Sequence, residues 1–296
     1  MHLSALYLYP VKSLRGIAVD SAEVDALGLV GDRRFLIVDA HGQFLTQRTL
    51  PRMAQIATAL TVDTLTLSAD GHGSISIPRE TPPDNTPAHI TVSIWRSKNL
   101  LADDCGPEPA AWLSSFLQTP VRLVRIGQHF RRPVLYKSAF APPSLPANTP
   151  RVENRLVGDD LVTFADGYPF LVASESSLDQ LNDRLISRGA DPVPMDRFRP
   201  NLVLSGCEPF AEDTWPRLQI GDIAFRAAGP CSRCAITTTD QLTGEREGPE
   251  PLRTLATFRR DPADPTDVNF GQNLVHETKS GTLRVGAAVH LIDAPK

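Results

Sequence analysis

Apolar and polar positions alternate with period two through roughly the first 125 residues, in LSALYLYPV, RRFLIVDA, QFLTQRT, DTLTLSA, SISIP and HITVSIW. Parted by turn-forming stretches such as DAHG and ADGHG, these segments predict strands. One helix interrupts the series at PEPAAWLSSFLQ, where Pro107 or Pro109 suits a first turn and Trp112, Leu113, Phe116 and Leu117 share one face. The strand VRLVRI is expected after it. Residues 131–154 are proline-rich and of mixed charge, which predicts an extended connector rather than an element. This places a domain over 1–130 and a second over 155–296.

In the second half, LVTFAD, PFLVAS and NLVLSG read as strands. SESSLDQLNDRLISRG reads as a helix opened by serine caps, striped by Leu178, Leu181 and Leu185, and closed at Gly189. LQIGDIAFRA and TLRVGAAVHLI each predict a hairpin, with a short helix at PEPLRTLATFRR between them. The expected fold class is mainly β with a few helices (α+β), arranged as two β-rich barrel-like domains.

A chain of 296 residues buries a core without covalent staples. Its net charge of −4 and pI near 6.0 argue against a nucleic-acid partner. No apolar run approaches the roughly 20 residues that span a bilayer, and MHLSALYLYPVK lacks the regions of a signal peptide. A soluble, cytoplasmic protein without a membrane anchor is expected. Its four cysteines are too few for a disulfide framework.

Two of those cysteines, Cys231 and Cys234, lie in GPCSRCAITTTDQLTG. Such a pair suits half a zinc site, a redox couple, a disulfide, or one metal ligand beside a bystander. The chain offers no second C-x-x-C and no H-x(3-5)-H to close a zinc site. The β-branched run from Ala235 to Thr239 predicts a strand, not the helix start that activates a redox pair. One cysteine bound to a metal that arrives with a cofactor remains, the metal keeping the thiol deprotonated. Basic residues at predicted loops, Lys12, Arg33, Arg34, Arg199 and Arg233, suit a phosphorylated ligand, and Lys12 with Ser13 makes a plausible phosphate cradle. Walker, GxGxxG, GxSxG and HExxH motifs are absent.

Six ordered stretches, LYLYPVKSLRGIAV, LVGDRRFLIVD, FADGYPFLVASESSLDQLN, DRFRPNLVLSGCEPFAEDTW, PCSRCAITTTDQLTG and NFGQNLV, resemble proteins that pair an N-terminal MOSC β-barrel domain with a MOSC domain. The likeness is to the mitochondrial amidoxime-reducing component and its bacterial relatives. The resemblance implies a cleft between two β-rich domains that binds the molybdenum cofactor (molybdopterin with molybdenum). It also implies reduction of N-hydroxylated compounds such as amidoximes, hydroxylamines and N-hydroxylated bases. It makes Cys234 the metal ligand and Cys231 the bystander. Cofactor contacts fall on Lys12, Ser13, Arg33, Arg199, Asn201, Ser232 and Arg233, with Asn273 at a position of variable residue type. Gly167 and Tyr168 stand where relatives carry small hydroxyl residues, so backbone contacts are expected there. Asp240 is the carboxylate near Cys234 in sequence that suits a proton relay, or else a turn cap. With no flavin, haem or iron–sulfur motif, electrons are expected from a separate reductase, cytochrome or ferredoxin-like partner. A cofactor carrier or sulfur-transfer module using Cys234 as a persulfide site is the alternative, and a β-rich binding protein a third.

Overall fold

In a computed structural model that describes residues 1–82 and 86–292, the expected class is found: strands dominate and a few helices pack beside them. The last four residues of the expected second domain lie outside the described residues. The largest sheet has eight strands, in the order Ile17–Ala18, His2–Leu8, Leu202–Ser205, Phe170–Ser174, Asn269–His276, Ile223–Ser232, Arg217–Ile220, Val289–Leu291. Its second strand, His2–Leu8, therefore comes from the start of the chain and pairs antiparallel with Leu202–Ser205. A register shift between Leu3 and Ala5 resets the alternation. Leu3, Leu6 and Leu8 then reach one core with Phe170, Val172, Leu204 and Phe225.

Phe170–Ser174 and Leu202–Ser205 run parallel, which requires a crossover, and the helix Glu175–Ser187 supplies it. Ser174 caps this helix, its hydroxyl accepting the Ser177 N–H at 3.2 Å. Leu181 and Leu185 are fully buried against Phe198, Leu255 and Phe270, and Gly189 turns the chain away at φ +75°. A four-stranded sheet orders Phe35–Val38, Arg122–Arg125, Ser97–Asp104 and His89–Ile94. The helix Pro107–Leu117 covers part of this half with Leu113, Phe116 and Leu117.

Several expected elements are corrected. Pro133–Tyr136, inside the expected connector, is a strand paired with Arg155–Leu161, and Val134 and Tyr136 are fully buried, so alternation outweighs the prolines there. The strand expected at LVTFAD ends at Leu161. The Arg132 guanidinium donates to the carbonyls of Thr163, Ala165 and Asp166 and holds them in a turn. QFLTQRT makes only isolated bridges at Gln43 and Phe44, because the Thr46 carbonyl accepts the Thr49 and Leu50 N–H groups in a turn. TLRVGAAVHLI is no hairpin: Gly281–Arg284 pairs with Ser21–Asp25, and Val289–Leu291 with Arg217–Ile220. No helix among the described residues is long and apolar enough to cross a membrane.

His276 lies fully buried on the central strand, and its Nε2 is 2.7 Å from the Asp25 carbonyl. Burial, then nearby Lys279, pushes its pKa down from 6.5 to about 4. Below pH 6.5 the unfolded chain takes up a proton that the folded chain refuses, so stability falls as pH drops from 6.5 towards 4. The full loss is about 3 kcal/mol. Urea unfolding across that range checks it: His276→Gln should remove this part of the slope.

Candidate functional site

The strand His2–Leu8 delivers the chain into a turn at Lys12-Ser13, tied to the neighbouring loop by Lys12 N–H to the Phe35 carbonyl (3.0 Å) and Arg33 N–H to the Tyr9 carbonyl (2.8 Å). Against these two loops stand the turn 165–168, the segment 198–201 and the end of the strand Ile223–Ser232. Together they line one cleft. Lys12, Ser13, Arg33, Gly167, Tyr168, Arg199, Asn201, Ser232, Arg233, Cys234 and Asn273 all face it. Five cations line it, Lys12, Arg33, Arg48, Arg199 and Arg233, against the single carboxylate of Asp166.

Three of these residues hold left-handed backbone conformations: Ser13 (φ 66°), Arg33 (φ 48°) and Arg199 (φ 55°). Each costs on the order of 1 kcal/mol or more for a non-glycine residue. Their gathering in one cleft marks it as a place where the fold accepts strain. Arg33 donates to Asp32 Oδ2 (2.7 Å) and Asn201 Oδ1 (3.0 Å). Arg199 donates to Gln241 Oε1 (3.0 Å) and the Leu14 carbonyl (2.7 Å). Both guanidiniums lie 4.3 Å from the Tyr9 ring centroid. Burial lowers the Arg199 pKa to about 10, although Tyr9 works against it. Asn201, 1% exposed, makes three side-chain hydrogen bonds to this frame and so positions Arg33.

Lys12 is also buried, and its ammonium meets Asp166 Oδ1 at 2.5 Å. Burial pushes its pKa down to about 8, partly countered by Asp166. The Asp166 side chain is 59% exposed by area, but that area faces the cleft, walled by protein. Burial there works to raise its pKa, yet Lys12 and Arg48 prevail and hold the carboxyl well below the usual range. Asp166 is thus a carboxylate at all ordinary pH.

Cys234 starts a short 3-10 turn, Ala235–Thr238, where β-branching had predicted a strand. The Thr237 and Thr238 hydroxyls donate back to the carbonyls of Cys234 (3.0 Å) and Ala235 (2.8 Å), which favours the turn. The Arg48 Nε donates to the Cys234 sulfur at 3.1 Å, a hydrogen bond strongest to a thiolate. Arg48 is held in place by the loop before it. Gln47 and Gln241 exchange reciprocal amide hydrogen bonds at 3.0 Å, both side chains buried. The Cys231 sulfur instead accepts from Arg233 Nη1 at 2.9 Å, and burial pushes its thiol pKa up against the pull of Arg233. Ser232 Oγ donates to Asp267 (2.7 Å), and Asn273 Nδ2 to the carbonyls of Gly229 (3.2 Å) and Pro230 (3.1 Å).

Asp240 is the expected site residue that does not reach the cleft. Its Oδ1 accepts the N–H groups of Leu242 (2.8 Å) and Thr243 (2.9 Å), and its Oδ2 accepts from Arg197 (2.9 Å). These bonds, the backbone N–H of Thr243 foremost, lower its pKa. It caps a turn and lines a different hollow. Sequence reasoning missed Arg48, Asp166 and Arg132. Arg48 sits in TQRT, read as a strand, and Asp166 in the quoted FADGY, where no periodicity singles it out.

A model of the MOSC N-terminal beta barrel domain matches residues 1–120, and a model of the MOSC domain matches residues 159–290. Mitochondrial amidoxime-reducing component 1 of Homo sapiens is 36% identical, over 98% of this chain and 82% of its own length. Mitochondrial amidoxime reducing component 2 of Bos taurus is 33% identical, over 97% of this chain and 82% of its own. The crystal structure of the YUAD protein from Bacillus subtilis aligns with a TM-score of 0.38 at 10% identity, over 97% of this chain and 92% of that one. The chain belongs to the family that joins a MOSC N-terminal beta barrel domain to a MOSC domain.

Proposed function

We propose that this chain is a molybdenum-cofactor-dependent reductase of N-hydroxylated compounds, with Cys234 as the protein ligand to the metal. The observation that carries the reading is the pairing, in one cleft, of five cations and one carboxylate with a cysteine sulfur that accepts from Arg48 Nε. The donor set fits the group. A phosphorylated pterin needs cations and many hydrogen bonds, and its metal needs a soft ligand. Two buried nitrogens on the cleft, Arg48 Nη1 and Arg233 Nε, lack a partner of the protein's own, as a site awaiting an anionic ligand would leave them.

Lys12, Ser13 and Arg33 would hold the phosphate, and Ser232 and Arg233 the pterin beside Cys234. Arg199 and Asn201 act by fixing the loops from which these side chains project. When bound, the cofactor supplies a two-electron centre that removes the oxygen of an N–OH group. Asp166 accepts from Lys12 and from the Trp95 indole and so orients both. Electrons come from a separate protein donor, and the substrate is a small N-hydroxylated molecule.

Benzamidoxime with reduced viologen as donor tests this reading. Protein made in a host that synthesises molybdenum cofactor is expected to release benzamidine in many turnovers. A molybdenum-loaded protein that releases none would favour the cofactor carrier.

A further inference from the structure

A second cavity of about 180 Å³ adjoins the cleft, lined by Trp95, Pro133, Leu135, Arg155 and the turn Asp166-Gly167-Tyr168. The same turn lines the cleft itself. Three residues therefore separate the two spaces, and the middle one has no side chain. A Cβ added at Gly167 would meet no heavy atom within 4 Å, so the wall is open at that point. Nor does the backbone demand glycine, since its φ lies outside the left-handed region.

Trp95 stands beside this opening in a left-handed conformation (φ 51°). Its Nε1 donates to Asp166 Oδ1 at 3.0 Å, the Arg48 guanidinium sits 4.5 Å from its ring centroid, and Phe44 meets it edge-on at 4.9 Å. Yet the residue remains 43% exposed. The φ belongs to the two-residue turn that joins His89–Ile94 to Ser97–Asp104, but an indole fixed by three contacts, half exposed and lining a cavity, is not accounted for by core packing. Across the opening, the Tyr168 hydroxyl lies near Arg155 and the Lys137 backbone. Neither that hydroxyl nor Arg155 Nε completes a hydrogen bond of good geometry, although both are buried.

We infer that this second cavity is the substrate vestibule, that it selects N-hydroxylated compounds with a flat aromatic or heteroaromatic body lying on Trp95, and that their N–OH group enters the cleft over Gly167. The inference rests on the reductase reading above and adds the selection of the substrate body. Trp95 acts as a specificity-determining residue.

The test compares benzamidoxime with acetamidoxime on molybdenum-loaded protein. The ratio of their kcat/KM values cancels any general damage to the site. Trp95→Ala is expected to lower the ratio roughly 10-fold or more, through the KM for benzamidoxime, as the loss of one stacking platform. Trp95→Phe, which restores a ring but no N–H, should recover most of it. Independently of turnover, benzamidine should quench tryptophan fluorescence saturably in the wild type and not in Trp95→Phe. Turnover with an unchanged ratio in Trp95→Ala and no quenching overturns the vestibule and leaves the reductase standing. Saturable quenching without turnover of either amidoxime supports the aromatic site and counts against the reductase. Neither quenching nor turnover overturns both.

Discussion

Cys234→Ala is expected to abolish benzamidoxime reduction, by about 1,000-fold or more, the order of loss on removing a group that acts in a unit at the reacting centre. Cys231→Ala should keep most of the activity. The two thiols are three positions apart in the chain and both line the cleft, but their partners differ. Cys234 opens a turn on the cleft and receives the Arg48 guanidinium at its sulfur. Cys231 is engaged by its own neighbour, Arg233, and burial keeps its thiol protonated to higher pH than usual. A thiol that resists ionisation is a poor metal ligand. Loss of activity in both variants alike would contradict the assignment, and circular dichroism with thermal unfolding separates such a loss from misfolding.

Asn201→Leu should destabilise the fold by about 2–4 kcal/mol, because one buried side chain makes three hydrogen bonds. Its Oδ1 accepts from Arg33 (3.0 Å) and the Leu171 N–H (3.3 Å), and its Nδ2 donates to the Tyr7 carbonyl (3.2 Å). Leucine fills a similar volume and removes all three bonds, while Arg33 keeps Asp32. The contrast is Asn273→Leu. That amide serves two carbonyls at 3.2 and 3.1 Å from a half-buried position, so a cost nearer about 1 kcal/mol is expected. Urea unfolding of both variants measures the difference. Equal costs would show that Asn201 is not the node joining the Arg33 loop to the sheet.

These two asparagines mark how far the sequence could be read. Both belong to motifs that carry the family resemblance, and both line the cleft, yet nothing in FRPN or FGQN tells a structural amide from an accessible one. Alternation revealed most strands because it records burial on one face. It was silent on partners: the pairing of His2–Leu8 with Leu202–Ser205 joins residues some 200 positions apart, and it brings Lys12 opposite Cys234. Local competition defeated propensity at Ala235–Thr238, where threonine hydroxyls bond back to the chain. Arg48 and Asp166 were illegible for a related reason. Their meaning lies in what they touch across the fold, a sulfur and a lysine, and neither neighbour is near in sequence.

The central claim, a metal held by one particular cysteine, is tested most directly by the molybdenum content of protein made in a host that synthesises molybdenum cofactor, comparing wild type, Cys234→Ala and Cys231→Ala. The account predicts near-stoichiometric molybdenum in wild type and Cys231→Ala, and its loss in Cys234→Ala alone. Equal loss in both variants, or zinc in place of molybdenum, would contradict it.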